Sequence, residues 1–144
     1  MQLDPESFLG RWCHHISLHL SRRFEEALAV GELTLAMSGR HPWVVMSLAT
    51  TFADWGKPAD AEALYAELIA RARRGYVQPV VLAIAAAAAG LEDEAIRHAC
   101  EAFKIRDPFF PFWLSKYWPY GTRLRAYPHF PEIIAKMGRS DWLR

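Results

Sequence analysis

Apolar positions recur along this chain at helical spacing, and beneath that spacing lies a longer one of 34 residues. Ala27, Ala61 and Ala95 stand 34 apart, as do Gly56 and Gly90, Leu48 and Leu82, and Ala49 and Ala83. A fixed period of this length means that one supersecondary unit is repeated, each copy burying its apolar face against the next. The layout Leu48-Ala49, Phe52, Gly56, Ala61, Leu64-Tyr65 returns as Leu82-Ala83, Ala86, Gly90, Ala95-Ile96, Ala99. Each block reads as an apolar helix, a glycine turn and a second helix.

The residue types explain the unit. Small residues at Ala49, Ala61, Ala83 and Ala95 let two antiparallel helices approach to about 8–10 Å, with Phe52 and Tyr65 filling the space beside them. Gly56 and Gly90 end the first helix of each pair, where a left-handed residue is wanted. Prolines in Asp4-Pro5, Lys57-Pro58 and Gln78-Pro79 sit where a helix start has no use for the missing N–H. The pattern predicts helices over 5–20, 23–38, 43–55, 58–73, 79–89 and 92–105. The first block keeps Phe24, Ala27 and Leu28 but carries Arg22 where the glycine belongs, as a drifting terminal repeat does. The Ala85–Ala89 run has no polar face, so something downstream of Ile105 is expected to pack over the third hairpin.

Composition narrows the classes. At 144 residues, with 52% hydrophobic and 23% charged positions and a net charge of +1, the chain has globular values and no field that would draw it to nucleic acid or an anionic membrane. Cys13 and Cys100 lie in helical patterns far apart and are read as reduced, buried thiols. Met1–Arg11 lacks the basic and apolar regions of a signal peptide, and the apolar stretch from Val77 to Leu91 is shorter than the ~20 residues a membrane span requires. A cytoplasmic location is the expectation.

The period and the small, aromatic, Gly, small pattern resemble the tetratricopeptide repeat family over about Phe8 to Arg106. The string from Ala72 to Pro79, then Gly90, Asp93-Glu94-Ala95 and Arg106-Asp107-Pro108, is more particular. With Arg123-Leu124-Arg125, Pro128-His129-Phe130, Ile133-Ile134 and Met137-Gly138, it is similar to the C-terminal tetratricopeptide domains of bacterial signalling proteins: winged-helix regulators, nucleotide cyclases and serine/threonine kinases. Tyr120-Gly121-Thr122 departs from that pattern, standing where those proteins usually have Asp or Pro. The resemblance implies an all-α, right-handed superhelix over residues 1–144, with repeats near 5–38, 42–75 and 76–107, a cap over 108–144 and a last helix near 130–138. It also implies a concave groove lined by the first helix of each hairpin, which here means Leu9, Trp12, Cys13, Ile16, Trp43, Met46, Thr50, Val80 and Ile84.

That lining is apolar and lacks the Lys, Arg and Asn of a carboxylate clamp, which suits an amphipathic helix or apolar peptide with tryptophans as hot spots. The segment from Phe109 to Phe130 holds nine aromatics, among them Phe109, Phe110, Trp113, Tyr117 and Trp118, and reads as a cap over the open end or as a contact surface. No phosphate-cradling loop, nucleophile elbow or Cys-x-x-Cys occurs, so no enzyme and no cofactor are expected. His15 and His19 share a helix face at metal-ligand spacing but lack a third ligand, and are read as rim histidines with no metal. Glu25-Glu26 and Glu92-Asp93-Glu94 read as solvated charges opposing helix dipoles. Basic residues interleaved with the tail aromatics match no nucleic-acid fold module, so no such partner is expected. The expectation is a protein–protein interaction domain in bacterial signalling, with an unknown protein partner and no membrane partner. Beside it stand a sensory domain enclosing a small apolar ligand against the aromatic tail, and a self-associating homo-oligomeric scaffold whose tail fills another copy's groove.

Overall fold

A computed structural model describes residues 7–113 and 119–136. They form helices α1 (Phe8–Leu20), α2 (Phe24–Ser38), α3 (Pro42–Asp54), α4 (Pro58–Arg74), α5 (Pro79–Ala88) and α6 (Glu92–Lys104). The short helices α7 (Phe110–Trp113), α8 (Thr122–Arg125) and α9 (Phe130–Lys136) come after them, with a 3-10 turn at Pro119–Gly121 before α8. Among the described residues there is no strand. The six long helices pair as α1 with α2, α3 with α4 and α5 with α6, and successive hairpins pack side by side. Asp4-Pro5, Tyr117, Trp118 and Met137-Gly138 lie outside the described residues; α1 starts at Phe8, where the Ser7 hydroxyl accepts from the Gly10 N–H.

The 34-residue spacing has a physical counterpart at the turns. Arg22, Gly56 and Gly90 occupy equivalent places and all have positive φ, at 58°, 79° and 78°. In each, the next N–H reaches back five residues: Arg23 to Leu18, Lys57 to Phe52 and Leu91 to Ala86. The positive-φ residue itself reaches back three, Arg22 to His19, Gly56 to Ala53 and Gly90 to Ala87, and this double closure satisfies carbonyls that a helix end otherwise leaves open. Arg22 therefore adopts the backbone of the glycine it replaces. Prolines 42, 58 and 79 open α3, α4 and α5.

Ala27, Ala61 and Ala95 are fully buried, as are Ala49 and Ala83. At the place equivalent to Ala49 and Ala83, the first hairpin has His15, also buried, and opposite it Gly31 stands where the others have Tyr65 and Ala99. A Cβ on Gly31 would lie 2.6 Å from Leu48 Cδ2 and 3.1 Å from His15 Nδ1. The glycine thus makes room for the imidazole. Helix α5 is buried along its whole length, between α3, α4 and α6, with α8 from beyond Ile105 packed on it as its sequence requires.

Candidate functional site

The residues expected to line a groove fall into two sets. Trp12, Ile16, Met46, Thr50, Val80 and Ile84 are buried and Trp43 is partly so, whereas Leu9 is 57% exposed and joins none of them. Apart from Thr50, the buried set shares one core with Phe110, Trp113, Tyr120, Leu124 and Phe130. Trp43 is the meeting point: its ring takes Phe109 and Trp113 edge-on, each at 5.2 Å between centroids, and lies 5.5 Å from Trp12. Its indole N–H donates to Gln78 Oε1 at 2.8 Å, while that of Trp12 donates to Ser47 Oγ at 2.9 Å. At Trp43, the chain's own aromatic segment lies on the surface read as a groove.

Asp107 sets the direction of that segment. Buried after α6, its carboxylate accepts from the Phe109 N–H at 3.0 Å and, more weakly at 3.4 Å, from the Val80 N–H at the start of α5. One side chain thus caps α5 and turns the chain back over it. Further along, Tyr120 lies buried with its ring 5.8 Å from that of His19, and burial pushes its hydroxyl pKa up.

Beneath this cover, a chain of polar groups joins the first two hairpins. The His15 Nδ1–H donates to the Ala27 carbonyl at 2.7 Å, which leaves Nε2 as a lone pair 3.1 Å from Thr51 Oγ1. Burial holds the His15 pKa below the ordinary histidine value, outweighing the bond to Ala27 that favours the charged form. Thr51 Oγ1 is also 2.9 Å from His19 Nδ1, and the His19 Nε2–H donates to Asp54 Oδ2 at 2.6 Å. Arg123 of α8 donates to the other Asp54 oxygen. Half-burial pulls the Asp54 carboxyl pKa upward, but the bonds from His19 and Arg123 prevail and hold it below the ordinary value. Asp54 is therefore the joint between the first hairpin, the second hairpin and the returning segment.

A hydroxyl between imidazoles, one of them bonded to a carboxylate, has the parts of an activated nucleophile. Thr51 is 1% exposed, so no substrate reaches that hydroxyl, and the arrangement positions helices instead. A smaller relay joins the second and third hairpins: Tyr65 donates to Glu94, and the His98 Nε2–H donates to the Tyr65 oxygen at 3.0 Å. Burial, foremost, raises the Tyr65 pKa and lowers that of His98.

Several sequence readings are corrected here. His15 and His19 are buried polar bridges rather than rim residues, Cys13 is exposed rather than buried, Cys100 is half-buried, and Glu94 is bonded to Tyr65 rather than solvated. Among the described residues no group of three His, Cys, Asp or Glu side chains is placed to hold a metal ion, and no helix is long and apolar enough to cross a membrane. Thr51 and Asp54 were not singled out from sequence, and Arg123 entered only as part of the Arg123-Leu124-Arg125 motif, with no contact assigned to it. The signal for Thr51 and Asp54 was the period itself, which sets them one repeat beyond Ser17 and Leu20. An open cleft of about 420 Å³ lies beside α4 and α6, lined by Ile69, Ala72, Tyr76, Val77, Leu82, His98 and Ile105 among others. No family model, curated protein or solved structure matches this chain.

Proposed function

We propose that the chain is a protein–protein interaction module of tetratricopeptide-like, right-handed superhelical design, whose first-helix surface receives apolar, aromatic-bearing polypeptide. The observation that carries this reading is the seat of the chain's own segment: Phe109 and Trp113 against Trp43, Tyr120 beside His19 and Arg123 on Asp54. A surface that takes such a segment in cis has the chemistry to take one in trans, with rings as anchors and a single ion pair as orienter. In this state the segment is the resident occupant, and a partner would enter by displacing it. The resemblance to signalling domains makes bacterial signalling in the cytoplasm the proposed setting.

The test is a labelled peptide of residues 107–125 titrated into the parent chain and into a Phe109→Ala/Arg123→Ala variant that loosens the resident segment at its rim. The variant binds at least about tenfold more tightly, and the affinity changes little between low and high salt because apolar area dominates. Absence of binding to both proteins overturns the reading. A second reading, a sensor holding a small ligand between α4 and α6 instead of against the aromatic segment, rests on the cleft there, where Tyr76 and Ile105 stand exposed beside Ile69, Val77 and Leu82.

A further inference from the structure

The repeat register identifies the positions that each hairpin turns toward the one before it. In the second hairpin these are Trp43, Ser47, Thr51 and Asp54, which meet Trp12, His15 and His19, together with Glu67 and Arg71, which meet Arg40. In the third, Glu94 and His98 meet Tyr65. Moved back by 34 or 68 residues, the same positions in the first hairpin are Leu9, Cys13, Ser17 and Leu20 on α1 and Glu26, Val30, Leu33 and Met37 on α2. Leu9 and Leu20 are each 57% exposed, and Leu33 and Met37 each 48%. Four of the large apolar side chains left in water therefore lie on one face, the face whose counterparts make the contacts between hairpins.

We infer that this face is a homodimer interface, in which the first hairpins of two copies pack against each other about a twofold axis. Two observations select a second copy. An isologous contact sets every residue against the same surface, so unpaired charge would meet its own sign. Here, where the second hairpin has Glu67 and Arg71, the first has Leu33 and Met37. On the same face, Glu26 is paired within the chain with Arg23 at 2.5 Å. The second observation is at the other end, where α8 and α9 cover the third hairpin and leave no matching face for head-to-tail stacking. This inference goes beyond the peptide-binding reading and does not rest on it.

Sedimentation velocity on the full chain tests it, under reducing conditions so that the exposed Cys13 forms no disulfide between copies. The parent chain is a dimer at tens of micromolar. Leu33→Glu and Leu20→Glu each raise the dimer dissociation constant by at least about tenfold. Both side chains are exposed, so circular dichroism stays unchanged, and the second variant stands in should the first fail to fold. Ile105→Glu, at an exposed apolar position on the third hairpin, leaves the dimer intact. A parent chain that remains monomeric at about 200 μM overturns the proposal, and loss of thermal stability in a monomeric Leu33→Glu would assign the face to a segment of the same chain. A dimer indifferent to both glutamates also overturns it, as does one abolished only by Trp113→Ala, which would mean exchange of the aromatic segment.

Discussion

At the third hairpin, Val80, Ala83, Ile84 and Ala87 lie buried, with Leu124 of α8 fully enclosed against α5 and Asp107 bonded to the backbone where α5 begins. At the first, Leu9, Leu20, Leu33 and Met37 meet solvent on the opposite side of the row. Both are ends of the same stack, and a stack of amphipathic hairpins leaves an apolar face at each end. The two ends solve this differently. One is covered from within the chain by short helices and aromatic rings, at the cost of ordering the segment beyond Ile105. The other keeps its face available for contact between molecules. Apolar residues at the two ends of the stack thus acquire their role from the surface packed over them, not from their own chemistry.

The sharpest way to break this comparison is to truncate one leucine at each end. Leu124→Ala empties a fully buried site and lowers unfolding stability by about 2–5 kcal/mol, the range for large-to-small changes in packed cores. Leu33→Ala, at a half-exposed site, changes it by about 0.5 kcal/mol or less when measured on monomer at low concentration. Urea denaturation read by circular dichroism checks both. Equal losses would mean that the open face is packed in solution.

The joint between the first two hairpins is polar where that between hairpin three and its cover is apolar, and acid separates them. Burial holds the pKa of His15, and also those of His41 and His98, below the ordinary value near 6.5. As the pH falls below about 6.5 the unfolded chain takes up protons that the folded chain refuses, so stability is flat above about 6.5 and declines from there toward the lower folded pKa values. The slope is roughly 1.4 kcal/mol per pH unit for each such group at most. Asp54, held below its ordinary value, adds a further loss only below about pH 3.8. Thermal melts between pH 7.5 and 5 show the decline, and His15→Gln makes it shallower.

Much of this fold was legible because the period is written in small residues. Alanines and glycines at Ala61, Ala95, Gly56 and Gly90 have one use, close approach or a left-handed turn, and the structure puts each to that use. The need of the Ala85–Ala89 run for a downstream cover was equally readable, since a helix without a polar face cannot stand at a surface. The polar joint was not. His15, His19, Thr51 and Asp54 are residues that also suit a solvated helix rim, and only three-dimensional pairing across 32 to 36 residues distinguishes the two uses. The apolar character of the first-helix lining was legible too, but sequence alone did not say that Phe109, Trp113 and Tyr120 would themselves lie against it. Exposure of the first hairpin's outer face was hidden for a different reason: Leu9 and Leu33 look like core positions, and only the register shows that they face away from the other hairpins.

The smallest effect tests the register itself. Gly56, Gly90 and Arg22 share one left-handed turn, yet a side chain in that conformation costs about 1 kcal/mol that glycine does not incur. A Cβ at Gly90 would touch nothing within 4 Å, so Gly90→Ala isolates the backbone cost and lowers stability by about that amount. Arg22 already carries the cost, but its guanidinium sits 5.0 Å above the Phe24 ring, an exposed cation–π contact of roughly 0.5–1 kcal/mol. The two contributions oppose each other. Arg22→Gly therefore stabilises the chain by no more than about 0.5 kcal/mol, whereas Arg22→Gly made in a Phe24→Leu background, where the ring is gone, recovers most of the ~1 kcal/mol. A double-mutant cycle by urea denaturation measures both steps. Equal gains in the two backgrounds would show that the ring contributes nothing, and a loss in both would show that the first turn is not the equivalent of the other two.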